Sequence, residues 1–233
     1  MTINSDKKIY YCITQIRIIA RSVVLWLISL PLMMNVRVMR MELITWALCR
    51  KHKRYQKGNL FFHKQGILDT CCYGETPLIT LERIAMHAKI DYGSSLLDMG
   101  SGAGKAAAYF TIKKSCRVLG VEKNPEMLSL ANRMARGCRI NDRLRFIDAD
   151  MFTLPVQDVD FIYIYHSALD DISIEKIAKQ LSRYDPKVKI ITVSWALQEV
   201  LPGFFTIETQ FDGWFPWGLT WVYVQRPVVA YPS

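Results

Sequence analysis

Four acids and one glycine-rich turn carry the most specific chemistry in this chain. Asp98 closes a short apolar run, Ser94-Ser95-Leu96-Leu97, and Gly100, Gly102 and Gly104 follow it at alternate positions. Glu122 stands 24 residues beyond Asp98, and Asp148 and Asp150 end the next apolar run. Glycines let a backbone turn sharply and approach a ligand without Cβ contacts. The helix expected from Lys105 onward aims its unpaired N–H groups at the same place. A phosphate-cradling loop needs a glycine five positions before its Gly-Lys pair and Ser or Thr after the lysine; Met99 and Ala106 stand there instead. A dinucleotide fingerprint needs G-x-G-x-x-G, but the third glycine falls one residue early, at Gly104. Asp98 directs a carboxylate at the turn, which suits a cation better than a pyrophosphate. The plain alternative is a turn that only joins a strand to a helix, and the spacing to the later acids weighs against it.

The run Asp98-Met99-Gly100-Ser101-Gly102-Ala103-Gly104 resembles the first motif of class I S-adenosylmethionine (SAM)-dependent methyltransferases. The resemblance implies SAM as cofactor, with Asp98, Gly100, Ser101, Gly102 and Gly104 around its methionine end. Glu122, at the end of the second strand, sits where an acid accepts hydrogen bonds from ribose hydroxyls. Asp150 takes the place of the acid that meets the adenine amino group, with Met151 offering its backbone N–H and side chain to the ring. Tyr73-Gly74-Glu75-Thr76-Pro77 lies where several methyltransferases carry a segment over the methionine end, so Glu75 is a candidate partner of the cofactor ammonium. The competing reading of that stretch is an ordinary helix start capped by Thr76 or Glu75, with proline early in the helix. Tyr165, His166 and Ser167 leave the fourth strand near the expected methyl group. Tyr165 is a candidate wall of the acceptor channel or a core residue; His166 is a candidate general base or a solvent-facing side chain.

Positioning these residues takes alternating strands and helices. Strands are expected at residues 117–122, 144–147, 160–165 and 187–195, and helices at 78–90, 126–136 and 171–184, each with an apolar stripe. Residues 204–211 and 219–225 read as an antiparallel pair around the aromatic stretch Gly213-Trp214-Phe215-Pro216-Trp217-Gly218, expected as a substrate-lining or membrane-resting loop or a packed hairpin. The implied fold is α/β: a Rossmann-like, doubly wound, seven-stranded sheet with an antiparallel C-terminal hairpin.

The net charge of +9 is confined to one end of the chain. Residues 1–57 hold eleven basic side chains against two acids, Asp6 and Glu42, whereas residues 58–233 carry nineteen of each sign. A basic footprint over the catalytic domain is therefore absent, and no nucleic-acid partner is expected. Residues 22–36 contain no charge and are flanked by Arg17, Arg21, Arg37 and Arg40; Arg50-Lys51-His52-Lys53-Arg54 follows a second apolar patch. A span needs about 20 apolar residues, and snorkelling arginines lengthen a shorter run. Residues 1–57 are thus expected to be a hydrophobic, basic anchor that meets the membrane through residues 16–57, spanning it or lying in its interface. The catalytic domain, 58–233, would then sit on the cytoplasmic side. A buried helix packing on the domain is the bland alternative, and a cleaved signal peptide or an RNA-binding arm fits the pattern less well. Six cysteines show no C-x-x-C spacing, so reduced thiols and no metal are expected.

The arrangement behind this anchor also resembles the small membrane-associated protein-lysine methyltransferases, the type acting on the ATP-synthase c-subunit and adenine nucleotide translocase. Residues 73–77 and Tyr165-His166-Ser167-Ala168 depart from that family's substrate-side motifs. Three functions follow as expectations: a membrane-associated methyltransferase of a protein lysine, a methyltransferase of a lipid or small hydrophobic molecule, and a SAM-binding membrane protein without turnover.

Overall fold

The computed structural model describes residues 5–49, 75–165 and 169–228. His166 and Ser167, Tyr73 and Gly74, and the basic cluster at 50–54 lie outside the described residues. Two helices open the chain, α1 (Ser5–Met33) and α2 (Val36–Cys49). Asn35 separates them and caps α2, its side-chain oxygen accepting the Arg37 N–H at 3.0 Å. Then come α3 (Leu78–His87), β1 (Ser95–Met99), α4 (Lys105–Lys114), β2 (Arg117–Glu122), α5 (Pro125–Cys138), β3 (Leu144–Asp148) and β4 (Phe161–Ile164). The chain continues through α6 (Asp171–Leu181), β5 (Lys189–Val193), the short α7 (Leu197–Val200), β6 (Phe205–Phe215) and β7 (Gly218–Pro227).

The strands form one seven-stranded sheet in the order β3-β2-β1-β4-β5-β7-β6. The first five are parallel; β7 runs antiparallel to both β5 and β6. Successive residues of each central strand bury into opposite layers, as the pleat requires. Leu96, Phe161, Tyr163 and Ile191 join α2, α3, α4 and α5 in one core. Leu97, Met99, Ile162, Ile164 and Ile190 join α6 and α7 in the other. Both faces are covered, which explains why the central strands read as continuous apolar runs.

Several local expectations change. Neither Thr76 nor Glu75 caps α3: Pro77 occupies the cap position without a side-chain bond. Thr76 is buried and shares a 2.6 Å hydrogen bond with the Tyr163 hydroxyl, so its oxygen is already committed to the core. The aromatic stretch 213–218 is not a loop. Phe215 pairs with Gly218, so β6 and β7 continue through it and only Pro216 and Trp217 turn the chain. Strand periodicity is hard to read there because aromatic residues fill both faces. α3 stops at His87, three residues short of expectation, with Lys89 in the left-handed region at φ 54°. α7 was not legible, since a single turn leaves no periodic signal.

α2 shares the domain's packing. Val38 and Met41 are fully buried in the same core as Leu81, Ile84 and Phe110. Packing that is continuous with the methyltransferase sheet therefore includes α2, on the N-terminal side of residue 58, and reaches the end of α1 through Leu32 and Met33. α1 differs: Ile13–Met33 has the length and composition of a membrane span and is mostly exposed.

Candidate active site

β1 leads to β2 on one side and pairs with β4 on the other, so the carboxyl end of β1 is a topological switch point. Ligands of open α/β sheets bind in the crevice there. Asp98 comes from the β1 end, on the α3–α4 side, and is level with Gly120 of β2 and Tyr163 of β4. The turn behind it is built on left-handed backbone, with φ of 80° at Gly100, 55° at Gly102 and 84° at Gly104. At Gly104 a Cβ would also stand 2.5 Å from the Phe146 ring, so a side chain here strains the backbone and has to displace that ring.

The site holds polar atoms that have no partner among the described residues. Asp98 is buried, and its Oδ2 has no hydrogen-bond partner; neither has the buried Ser101 Oγ. Buried unpaired polar atoms are costly in a folded protein and call for a ligand or water. Burial raises the Asp98 pKa from 3.8 to about 7; the Ala107 N–H bond opposes the rise and the Glu122 charge adds to it. A carboxylate held this far from comfort gains most from a cationic partner. These atoms and the glycine cradle fit the ammonium and carboxylate end of an amino-acid-like ligand.

Glu122 ends β2 beside the turn. Its Oε2 accepts the Gly102 N–H at 2.8 Å and its Oε1 accepts the Asn124 N–H at 2.8 Å. The carboxylate thereby ties the glycine turn to the start of α5 and keeps a lone pair on each oxygen for a diol. Asp150 follows β3. Its Oδ2 accepts from Lys123 Nζ at 2.7 Å and its Oδ1 from the Phe152 N–H at 3.0 Å. The Lys123 hydrogen bond is the first cause of a lowered Asp150 pKa. Met151 is half-buried, packed on the α6-side core. The structure thus brings Asp98, Gly100, Ser101, Gly102, Gly104, Glu122, Asp150 and Met151 to one edge of the sheet.

Glu75 arrives with a partner that the sequence reading did not name. Its Oε2 lies 3.5 Å from Lys105 Nζ, and the same ammonium lies 2.9 Å from Glu42 Oε1 of α2. Burial alone would lower the Lys105 pKa, but the Glu75 and Glu42 charges outweigh it and hold the group above its usual value. Lys105 therefore bridges the first turn of α4 to α2 and to the segment before α3. One signal was available: Glu42 is the lone acid between Lys7 and Lys57, inside an apolar helix. An acid there needs a cation, and Lys105 had lost its phosphate role.

Tyr165 follows β4, one step beyond the Met99–Ile164 pair. Its ring stacks with Phe215 at 5.6 Å and with Trp217 at 6.3 Å, and those two rings stack at 4.9 Å. The turn of the β6–β7 hairpin thus supplies two thirds of an aromatic wall at the cofactor edge. Behind it, α1 and the hairpin form an open, largely apolar cavity of about 330 Å³, lined by Val24, Leu25, Ile28, Phe215 and Leu219 among others. Arg21, also in its lining, donates to the Trp217 carbonyl at 2.6 Å.

Sheet order, switch-point turn and acid positions together define the class I SAM-dependent methyltransferase fold. Residues 96–185 match the model of a methyltransferase domain. Over that stretch the chain is similar to methyltransferase domains, and the surrounding sheet has the fold of the SAM-dependent class. Among curated proteins it is similar to the sterol 24-C-methyltransferase of Pneumocystis carinii, 26% identical over 102 residues, 43% of this chain and 27% of that protein. It is also similar to the sterol 24-C-methyltransferase erg6 of Schizosaccharomyces pombe, 29% identical over 82 residues, 35% of this chain and 22% of that protein. The chain thus spans about a quarter of the length of these relatives. Among solved structures, an RNA methyltransferase from Salinibacter ruber in complex with S-adenosyl-L-homocysteine superposes with a TM-score of 0.57 at 19% identity, covering 69% of this chain and 97% of that one.

Proposed function

We propose that this protein is a SAM-dependent methyltransferase that works at a membrane on an apolar, lipid-type acceptor. One observation carries the reading: Phe215 belongs both to the aromatic wall at the cofactor edge and to the apolar cavity beneath α1. SAM supplies an activated methyl group on a sulfonium. The protein contributes grip and alignment. Asp98 receives the ammonium, Glu122 the ribose hydroxyls, and Asp150 with Met151 the adenine. Tyr165, Phe215 and Trp217 exclude water from the acceptor side and offer ring faces toward positive charge. The apolar cavity suits an acyl or isoprenoid chain better than a charged peptide. The sterol methyltransferases among the relatives support an apolar acceptor. The apolar helix α1 supports membrane association, and the basic N-terminal segment favours the cytoplasmic side.

A second reading, methylation of a protein lysine, draws on the same three rings. Stacked aromatic faces also seat an ammonium, and the resemblance to membrane-associated lysine methyltransferases agrees with it. Incubating the protein with membrane fractions and methyl-labelled SAM separates the readings. Label in the organic extract supports the lipid acceptor, and label in a protein band supports lysine. Tight cofactor binding without transfer to any fraction would leave a SAM-binding membrane protein and end both.

A further inference from the structure

We propose that α1 and α2 lie flat, one after the other, in the headgroup–acyl boundary of an anionic bilayer, with the methyltransferase domain resting on their inner side. The inference rests on the membrane part of the proposed function and specifies how the membrane is met. Each helix carries two stripes. On α1, Ile16, Ile19, Val23, Trp26 and Leu30 are exposed at spacings of three and four residues, so they share one face. A different face holds Ser22, Leu25, Ser29 and Leu32, buried or half-buried against the domain. On α2, Val36, Met39, Leu43 and Trp46 repeat the exposed pattern, while Val38, Met41 and Thr45 are buried. An apolar outer stripe on a helix whose inner stripe is already packed needs a further apolar phase to cover it.

Crossing the bilayer is the competing arrangement, and Ile13–Met33 is long enough for it. A crossing α1 would have to leave its inner contacts, including the buried Leu25 and Ser29 and the Arg21 bond to the hairpin turn. It would also leave the α2 stripe in water, because 14 residues rise only about 21 Å and cannot cross beside it. In the flat arrangement the exposed apolar residues of both helices meet lipid while Leu25, Ser29, Val38 and Met41 keep their packing on the domain.

Charge selects the partner. Glu42 is the lone acid in residues 13–48, and it is turned inward to Lys105. Arg37 and Arg40 are exposed beside the α2 stripe. A second copy on this face would bring like charges together, whereas anionic headgroups neutralise them. Trp26 and Trp46, 55% and 60% exposed, have the amphipathic rings favoured at that depth.

The test uses the full chain with phosphatidylcholine vesicles, with and without phosphatidylglycerol. Flotation reads binding. Quenching by lipids brominated near the headgroup or near the chain end reads depth, and the signal lost in Trp26→Phe and Trp46→Phe assigns it. The expected result is preferential binding to the anionic vesicles, quenching of both tryptophans by the shallow label, and release by alkaline carbonate. Replacing Arg37 and Arg40 by Gln should weaken binding to anionic vesicles by about fivefold per arginine, with an unchanged melting temperature because both side chains are exposed. Deep quenching of Trp26 with carbonate resistance would overturn the flat arrangement and leave membrane association standing. Absence of flotation, with a dimer in light scattering, would overturn both and assign the face to a second copy. The labelled-methyl assay on detergent-dispersed acceptor reads methyl transfer independently of either outcome.

Discussion

Lowering the pH from about 7 to about 5.5 should weaken SAM binding roughly fifteenfold through one residue. Burial lifts the Asp98 pKa to about 7 in the free protein. At that value about half the carboxyl groups are ionised at pH 7 and about 3% at pH 5.5. An ammonium placed against Asp98 requires the ionised form, so binding at the lower pH must expel a proton. The cofactor's own amino group stays protonated throughout, since an α-amino group titrates near 8. Isothermal titration calorimetry in two buffers of different ionisation enthalpy reads both affinity and proton release. The expected release at pH 5.5 approaches one proton per cofactor. Asp98→Asn should bind weakly at pH 7 and show no pH dependence. A wild-type affinity that moves less than about twofold over this range, with no proton released, would refute the assignment of Asp98 to the cofactor ammonium.

The same shift predicts a stability effect. The folded pKa is raised, so the contribution of Asp98 to stability is fully present below about pH 4 and is lost as pH rises through 7, by an amount on the order of 4 kcal/mol. The free protein should therefore lose melting temperature between about pH 4 and pH 7 relative to Asp98→Asn, and SAM should restore it. Glu42→Gln leaves the Lys105 ammonium with Glu75 alone at 3.5 Å; a loss of about 2 kcal/mol in urea denaturation is expected, together with weaker SAM binding. Gly104→Ala forces a side chain into left-handed backbone and against Phe146, so about 3 kcal/mol of stability should go, part of it returned by a compensating Phe146→Leu. Tyr165→Ala should leave the SAM dissociation constant unchanged while methyl transfer falls about tenfold or more, because the ring stacks on Phe215 and Trp217 at the acceptor side.

The cofactor edge was legible because its requirements are local. Asp98, the alternate glycines and Glu122 are fixed by a strand end, a turn of positive φ and the length of one helix and strand, all recorded in spacing. The partners of those residues were not legible. Thr76 finds Tyr163 across 87 positions, and Lys105 finds Glu42 across the packing of α2 on α4. Contacts between elements far apart in sequence leave no period in a single chain. The hairpin tip stayed open between a loop and a packed hairpin for another reason: Trp214, Phe215 and Trp217 are all aromatic, and only the pairing to Leu219 and Gly218 shows which face each takes.

The two faces of α2 change how the N-terminal segment has to be understood. Its outer stripe of Val36, Met39, Leu43 and Trp46 is the part an anchor would use. Its inner side places Val38 and Met41 in the domain core and Glu42 against the first residue of the helix that follows the glycine turn. Removing an independent anchor leaves cofactor binding untouched. Removing α2 strips a buried ammonium of a carboxylate 2.9 Å away and opens the core beside α4 and α5. A chain cut before α2 should therefore bind SAM as the full chain does once dispersed in detergent, and a chain cut after α2 should lose both affinity and cooperative unfolding. Equal affinity in the two truncations would show that Lys105 is held by Glu75 alone and that α2 serves only the membrane.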